Sequence, residues 1–459
     1  MEYIWSMTRL PISVSTACMA MLLLFGCAGL PADSSIKKNH EGLYAFTDVT
    51  IVPMTEERLI PHQSVLIQDG IIVAIGPAGE VEAPAGAVVI DGRGRYLMPG
   101  LVDMHTHICD RDDLILLTAN GVTSVRNMAE YPGWARLFGF SKIAALNHKI
   151  ERGDIPGPTI YTTGPVLEGR NPVSPLFNVI TDVEDAERAV RKQNKSGYEL
   201  IKVYDNLSPD VYQRILEVAS ELQMPVVGHV PKTVGFEGAL DGGQYSIEHL
   251  TAYIDNDRAD FVIPENRIEE FAGRTAAAGI WNCPTLTIYD NLVPPSEFSL
   301  ITSHPEARYV PGRIRFLWKK TLEAVYEAEY SGPDYAQHMR EISRDMTRAL
   351  HQAGARLVAG TDMNFVGVFP GVSLHRELAN LVAAGLSPYE ALACATVNAA
   401  ECLGRSHEFG TVEIGQRADL ILVEANPFND IGAVCNRAGV MVRGVWHTRE
   451  NLDRIIEKL

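Results

Sequence analysis

The sequence predicts an α/β fold, a (β/α)8 barrel of the TIM type joined to a small β-sandwich domain. Short apolar runs alternate with longer helical patterns over residues 96–405, and β-rich segments precede and follow this region. Strands that alternate with helices pair in parallel through right-handed crossovers, and about 300 residues suit eight such units. An open, doubly wound sheet is the alternative, but no glycine-rich dinucleotide loop follows the first strand.

The first β-rich segment follows a polar linker over residues 28–42. Residues 43–95 read as short alternating strands with hairpin signals such as Asp69-Gly70. This segment is too short to bury much apolar surface by itself. Residues 406–459 are again strand-like, in the runs GTVEIGQRADLILV and VMVRGVWHT, so we expect the two segments to form one β-sandwich domain.

The central region contains eight runs of strand size: LVDMHTH, VTSVRN, TIYTTGPV, LIKVYD, PVVGHV, YSIEHL, WNCPTLTI and RLVAGTD. Helical patterns separate several of them, over Val183–Ser196, Pro209–Gln223 and Asp334–Ala353. The connection from Tyr289 to about Tyr330 is long for a barrel loop. Two interpretations of it stay open, a cover over the site or a surface excursion with one extra helix.

The composition indicates a folded protein with an acidic surface. The 459 residues are 46% hydrophobic, which allows one large core or two moderate ones. The formal net charge is -17, and we find no run of lysine or arginine. Because such a surface repels phosphate backbones, we expect a small-molecule substrate and no nucleic-acid partner. The oligomeric state stays open, and a homo-oligomer is compatible with the sequence.

Residues 1–27 read as an export signal. The apolar stretch Ser13–Phe25 is too short to span a membrane. It ends in Leu24-Phe25-Gly26-Cys27, which resembles the lipobox of bacterial lipoproteins and implies lipid attachment to Cys27. Because Ala28-Gly29 lacks the acidic residue typical of inner-membrane lipoproteins, we expect an outer-membrane lipoprotein on the periplasmic side. The alternative is ordinary secretion after cleavage a few residues later, which leaves a soluble protein.

Two histidines close the first run of the central region, in the stretch MPGLVDMHTH. Side chains on a strand alternate between faces, so His105 and His107 project the same way. Two neutral imidazoles held this close can bind one divalent cation. An isolated His-x-His also occurs in ordinary strands, so the interpretation depends on support from the rest of the chain.

Four further runs end in a residue able to serve a metal site: Lys202 in LIKVYD, His229 in PVVGHV, His249 in YSIEHL and Asp362 in RLVAGTD. The carboxyl ends of barrel strands converge on one face, so residues far apart in sequence meet in one cavity. Each residue alone has a structural explanation, as a salt-bridged lysine, a core histidine or a helix N-cap. Together the six residues predict a metal centre.

These motifs resemble the amidohydrolase superfamily, in its exported imidazolonepropionase- and prolidase-like branch. GLVDMHTH matches the motif of the first strand, and IKVYDNLSP, PVVGHVP, GQYSIEHL and AGTD follow in the family's order. GTVEIGQRADLILVEANPF resembles the C-terminal signature of the family. The resemblance implies a metal-dependent hydrolase that cleaves a carbon–nitrogen bond in an amide, a dipeptide or a cyclic amide.

The resemblance also implies a role for each ligand. Two divalent metals, expected to be zinc, would be bound by the six side chains: the more buried one by His105, His107 and Asp362, the second by His229 and His249, and both by Lys202. Lys202 would bridge as a carbamate formed with carbon dioxide, because a protonated ammonium has no lone pair for a metal. A metal-activated hydroxide would attack, with Asp362 as general acid and base.

The chain departs from better-understood members outside this ligand set. Asn127 stands where an aspartate is usual, and Tyr204-Asp205-Asn206 replaces a glycine-rich continuation. A substrate with a free carboxylate would need a cation at a strand end, for which Arg170 and Lys232 are the candidates, with Tyr204 as a hydrogen-bond donor.

Other functions are compatible with parts of this pattern. They are one-metal hydrolysis of an imidazolone-like ring, deamination, lactone hydrolysis, and a non-enzymatic surface lipoprotein on a decayed barrel. The last predicts the loss of at least one ligand, whereas all six are present.

Overall fold

A computed structural model describes residues 42–254, 262–327 and 334–459 of the chain. The predicted signal segment, its lipobox with Cys27, and residues 28–41 of the predicted linker lie outside the described residues. Among the helices that the structure describes, none is both long and apolar enough to cross a membrane.

The strands are β1 (Leu43–Ile51), β2 (Ile60–Gln68), β3 (Ile71–Pro77), β4 (Val88–Asp91), β5 (Tyr96–Pro99), β6 (Leu101–Thr106), β7 (Val122–Asn127), β8 (Thr159–Thr162), β9 (Leu167–Glu168), β10 (Asn178–Val179), β11 (Ile201–Val203), β12 (Val226–Gly228), β13 (Ser246–Glu248), β14 (Trp281–Cys283), β15 (Arg356–Leu357), β16 (Leu420–Val423), β17 (Arg437–Val442) and β18 (Val445–Thr448).

The helices are α1 (Arg111–Ala119), α2 (Ile143–Glu151), α3 (Val183–Lys195), α4 (Pro209–Glu221), α5 (Gly235–Gly242), α6 (Glu265–Ala278), α7 (Leu286–Asp290), α8 (Phe298–Thr302), α9 (Gly312–Glu327), α10 (Tyr335–Gln352), α11 (Val372–Ala383), α12 (Pro388–Cys394), α13 (Val397–Cys402) and α14 (Arg449–Ile456). Short 3-10 helices cover Gly133–Phe138, Pro295–Glu297, Pro305–Tyr309 and Ile431–Cys435.

The two ends of the described chain share one sheet. Its strand order is β18-β17-β16-β5-β1-β2-β3, with β4 paired to β1. β2 and β3 form the hairpin expected at Asp69-Gly70, where both residues have a positive φ. A single apolar cluster joins Phe46 and Ile67 from the first segment to Leu420 from the last. β5 also belongs to this sheet, because it pairs with β1 and β16. The predicted boundary of the β-sandwich segment at residue 95 instead assigns β5 to the central region.

The central strands form two parallel sheets. One has the order β6-β7-β8 and the other the order β10-β9-β11-β12-β13-β14-β15. Isolated parallel bridges connect Thr163 to Leu200 and Thr106 to Met363, so strands of the two sheets are in contact at two places. Each of the eight predicted runs contributes a strand, and the expected helices appear as α3, α4 and α10. The chain therefore has the mixed α/β content and the parallel pairing that its sequence predicts.

Several strands are shorter than the apolar runs that predict them. WNCPTLTI was expected to be one strand, but only Trp281–Cys283 is β14, and α7 begins at Leu286. Pro284 removes a backbone donor, and Thr285 has a φ of 52°, which turns the chain out of the sheet. The short pairs β9 and β10 were not expected, because two residues carry no periodic pattern.

Candidate metal centre

The structure brings the six predicted ligands together at the carboxyl ends of the parallel strands. They lie within the last residues of, or directly after, β6 (His105, His107), β11 (Lys202), β12 (His229) and β13 (His249), whereas Asp362 lies five residues after the end of β15.

Short distances connect these side chains. Asp362 Oδ1 lies 3.4 Å from His105 Nε2 and 3.2 Å from His107 Nε2. Lys202 Nζ lies 3.5 Å from His105 Nε2. The ring centroid of His249 is 4.4 Å from that of His105 and 5.0 Å from that of His229. All six side chains therefore form one cluster.

The donor set of the cluster fits a divalent metal. One ligand atom from each of His105, His107 and Asp362 lies within 4.8 Å of the other two. Imidazole nitrogens and a carboxylate oxygen suit zinc and other divalent first-row metals. His107 Nδ1 is buried and has no hydrogen-bond partner among the described residues, which is the kind of buried polar atom that calls for an ion or a water.

Outer contacts orient three of the histidines. The Nδ1 atoms lie close to oxygen atoms of other side chains: His105 is 2.8 Å from Glu248 Oε2, His229 is 2.6 Å from Asp205 Oδ1, and His249 is 2.7 Å from Thr285 Oγ1. Each contact uses one ring nitrogen and leaves Nε2 as the nitrogen able to bind a metal.

Burial determines the protonation of the basic side chains. It lowers the pKa of His105 and His249 well below the usual range, and it also lowers the pKa of His229. Burial lowers the pKa of Lys202 to about 8. At neutral pH the three imidazoles are therefore neutral, which is the form that binds a metal.

A buried ion pair supports His105 from the side opposite Asp362. Arg126 donates to Glu248 Oε1 at 2.7 Å, and the two side chains are only 1% and 0% exposed. The same carboxylate oxygen accepts from Ser246, and Arg126 Nε donates to the Met104 carbonyl oxygen at 2.7 Å. Glu248 thus joins the guanidinium to the His105 ring. The sequence signal for this pair was a charged residue inside each of two apolar runs, VTSVRN and YSIEHL.

The loop that carries Asp362 is fixed against β6. Asp103 accepts from the backbone nitrogen of Thr361 at 3.0 Å and from its hydroxyl at 2.7 Å. A Cβ atom at Gly360 would lie 2.5 Å from Cys283 Sγ and 2.8 Å from the backbone nitrogen of His105. Because real Cβ contacts are never this short, only glycine allows the loop to approach the strand.

The backbone at the centre also adopts conformations that residues with side chains rarely visit. The φ angles of His249, Leu250, Thr285 and Asp362 lie between 52° and 60°. Such positive φ values cost on the order of 1–3 kcal/mol each and cluster at functional sites.

Asn127, which departs from the family pattern, supports the loop after β6. Its Oδ1 accepts from the backbone nitrogen of Ile108 at 2.9 Å, and its Nδ2 donates to the Ala129 carbonyl oxygen at 2.6 Å and to Thr162 Oγ1 at 3.0 Å. A neutral amide can both donate and accept here, whereas an ionised carboxylate could only accept.

A cavity of about 1070 Å3 opens over the cluster, counting the space that is continuous with solvent. Five of the six predicted ligands line it, together with side chains from the long connection after β14, among them Tyr289, Leu292, Leu317 and Trp318. This lining supports the first of the two interpretations of that connection, a cover over the site.

The three predicted substrate residues differ in their positions. Tyr204 lines the cavity, and its ring stacks on His229 with centroids 3.9 Å apart. Arg170 and Lys232 are exposed, and neither is among the described residues that line the cavity. The structure therefore brings Tyr204 to the cluster but not the two cations.

The model of the amidohydrolase family matches residues 96–447. The chain belongs to this family, and with it to the metal-dependent hydrolases that act on carbon–nitrogen bonds. Among curated proteins it is similar to the imidazolonepropionase of Geobacillus sp. (strain WCH70), with 24% identity over 81% of this chain and 86% of the relative. It is also similar to the ochratoxinase of Aspergillus niger, with 25% identity over 81% of this chain and 79% of the relative.

Solved structures agree with this family. The bottromycin amidohydrolase structure has a TM-score of 0.71 and 26% identity, and the match covers 92% of this chain and 90% of that chain. A Xaa-Pro dipeptidase with bound methionine has a TM-score of 0.66 and 18% identity, over 89% of this chain and 100% of that chain. At this lower identity the likeness concerns the fold alone.

Proposed function

We propose that this chain hydrolyses an amide-type carbon–nitrogen bond at a two-metal centre. The observation that carries the proposal is the buried Lys202, which is 1% exposed and has its Nζ atom 3.5 Å from His105 Nε2. A lysine amine among neutral imidazoles is costly to bury as an ammonium. Its position is explained if it joins the other five side chains as a ligand.

The proposed scaffold is one (β/α)8 barrel, over residues 96–405, with a β-sandwich domain built from residues 43–95 and 406–459. The two bridges between the parallel sheets support closure of the barrel. A further hydrogen bond, from the Met104 backbone nitrogen to the Ala359 carbonyl oxygen at 2.9 Å, joins β6 to the segment after β15. In such a barrel the carboxyl ends of the strands meet at the catalytic face, which is where the cluster lies.

Lys202 would carry a carbamate formed with carbon dioxide. Its pKa of about 8 leaves part of the population as the neutral amine at neutral pH. The nitrogen lone pair forms a bond to the carbon of carbon dioxide, one C=O π electron pair moves onto its oxygen, and the nitrogen loses one proton to water. The product shares one negative charge between two oxygens, which would suit two divalent metals better than a single amine does.

Divalent metals, with zinc proposed, would lower the pKa of a water molecule and polarise the scissile carbonyl. Asp362, which contacts both His105 and His107, is the proposed proton acceptor. It would take a proton from the water and pass it to the leaving nitrogen. Tyr204 lines the same cavity and can donate a hydrogen bond to the substrate.

Metal removal tests this proposal. Treatment with a chelator is expected to lower hydrolysis on the order of 1000-fold, and zinc or manganese should restore it with two metals bound per chain. The substrates are N-acyl amino acids, dipeptides including Xaa-Pro, cyclic amides and lactones. Full activity in protein with less than about 0.1 metal per chain would contradict the metal mechanism. Turnover of lactones alone would favour the lactonase alternative.

The proposed location is the periplasmic side of an outer membrane, with the chain anchored by lipid on Cys27. Its support is the sequence Leu24-Phe25-Gly26-Cys27 after an apolar stretch. A single lipidated cysteine accounts for the anchor, so Cys27→Ala should move the protein from the membrane fraction to the soluble or unprocessed pool. Cell fractionation with detection of the mature chain measures this, with Cys435→Ala as the control. An unchanged distribution would exclude lipidation at Cys27.

A further inference from the structure

We infer that the substrate places an uncharged, bulky apolar group, best an aromatic one, in the cavity above the metal centre. This inference rests on the proposed function and names its substrate class. It replaces the expectation of a carboxylate-binding cation, because Lys202 is the one lysine or arginine among the described residues that line the cavity and it belongs to the proposed metal centre.

Aromatic rings form one part of the cavity wall. The Tyr204 ring is 3.9 Å from the His229 ring and 4.9 Å from the Phe177 ring, measured between centroids. Tyr131 and Phe140 are 4.6 Å apart in the same way and belong to the same apolar cluster as Tyr204. All of these residues line the cavity. An apolar surface therefore extends outward from a predicted metal ligand.

Helix α9 supplies a second part of the wall. Ile314, Leu317, Trp318 and Thr321 line the cavity at the spacing of one helix face. Trp318 Nε1 donates to the Asn364 carbonyl oxygen at 3.0 Å, two residues after Asp362. This hydrogen bond fixes the indole ring beside the loop that carries the proposed general base.

The wall carries little charge away from the cluster. Among the described lining residues, Lys202 supplies the one lysine or arginine side chain, and Asp362 supplies the one carboxylate. Both belong to the proposed metal centre. A carboxylate placed beside the aromatic rings would lose its hydration without gaining a cationic partner. For an apolar group, the transfer from water to this wall has a favourable free energy. Ligand pockets of this kind select by shape and by apolar contact.

A series of amides tests the inference. Its members share one scissile bond and carry methyl, phenyl or 4-carboxyphenyl, first on the acyl side and then on the amine side. On at least one side, kcat/KM should rise about 10-fold or more from methyl to phenyl and fall by a similar factor from phenyl to 4-carboxyphenyl. A preference for the 4-carboxyphenyl compound, or equal values across the series, would overturn it.

Two variants in α9 test whether the preference for the phenyl substrate arises at Trp318. Trp318→Ala should lower kcat/KM for the phenyl substrate about 10-fold or more and leave the methyl substrate within about 3-fold, because only the larger group reaches the ring. Phe316→Ala is the matched control, since Phe316 is 52% exposed and is not a lining residue. Equal losses on both substrates in Trp318→Ala would mean a structural role and would overturn the assignment.

A binding measurement separates this inference from the proposed function. N-phenyl-1-naphthylamine, an uncharged aromatic fluorophore, should bind to the wild type and to Phe316→Ala but bind about 10-fold more weakly to Trp318→Ala. If no amide is hydrolysed and the fluorophore still binds in this pattern, the proposed function fails and the apolar site stands. If small amides are hydrolysed but the fluorophore does not bind, the inference fails and the proposed function stands.

Discussion

Lys202→Ala is expected to lower kcat/KM by about 1000-fold or more and to reduce bound metal from two ions per chain to one or fewer. The alanine cannot form the carbamate that would bridge the metals, and it leaves a cavity beside His105. Metal analysis and kinetics on the amide series measure the two effects together. Lys192→Ala, at an exposed position of α3, is the control and should change neither.

The carbamate itself has a separate signature. Wild-type protein that is stripped of metal and reloaded in buffer free of carbon dioxide should regain little activity, and added bicarbonate should restore it. Equal turnover by Lys202→Ala and the wild type would rule out the bridging role. If reloading restores the same activity with and without bicarbonate, Lys202 is a residue of the cluster that carries no carbamate.

Glu248→Ala is expected to lower the free energy of unfolding of the metal-free protein by about 3–5 kcal/mol. It leaves Arg126 as an unpaired charge that is only 1% exposed, and it removes the partner of His105 Nδ1. Urea unfolding followed by circular dichroism gives the value, if both proteins unfold in a two-state manner.

The control for this variant is an ion pair on the surface. Glu237→Ala removes one of the two carboxylate partners of Arg274, in a pair whose side chains are 59% and 39% exposed, so its cost should be about 0–1 kcal/mol. Equal costs for the two variants would mean that Glu248 and Arg126 do not depend on each other. The double variant Arg126→Met with Glu248→Leu should recover part of the loss, because no buried charge is left unpaired.

The sequence predicts the cluster well because its ligands follow a local rule. Each predicted ligand lies in or at the end of an apolar run, and the strands of the predicted barrel would present their carboxyl ends at one face. His105 and Asp362 can therefore be placed near each other although they are far apart in sequence. The three predicted helices begin and end within two residues of their predicted limits because their signal is also local. It is a clear helical periodicity, with caps such as Asp182 before α3.

The residues that the sequence does not reveal depend on packing between distant elements. Arg126 and Glu248 each look unfavourable within an apolar run, and only the approach of β7 to β13 explains them as a pair. Gly360 is required by a contact with another strand, which no local pattern encodes. Arg170 and Lys232 were candidates by charge alone, and charge does not indicate which way a loop residue points. The helical pattern of α9 predicts an apolar face but not the cavity that it borders.

The sheet shared by the two ends of the chain has a consequence for biosynthesis. β5 pairs with β1, which precedes it in the chain, and with β16, which is synthesised about 320 residues after it. Until then the β5 edge and the apolar cluster around Leu97 have no partner strand, which is the condition that invites misassembly and aggregation. A chain terminated before β16 would contain all six clustered side chains but would lack β16, β17 and β18, so β5 would remain an exposed edge strand of the adjoining sheet.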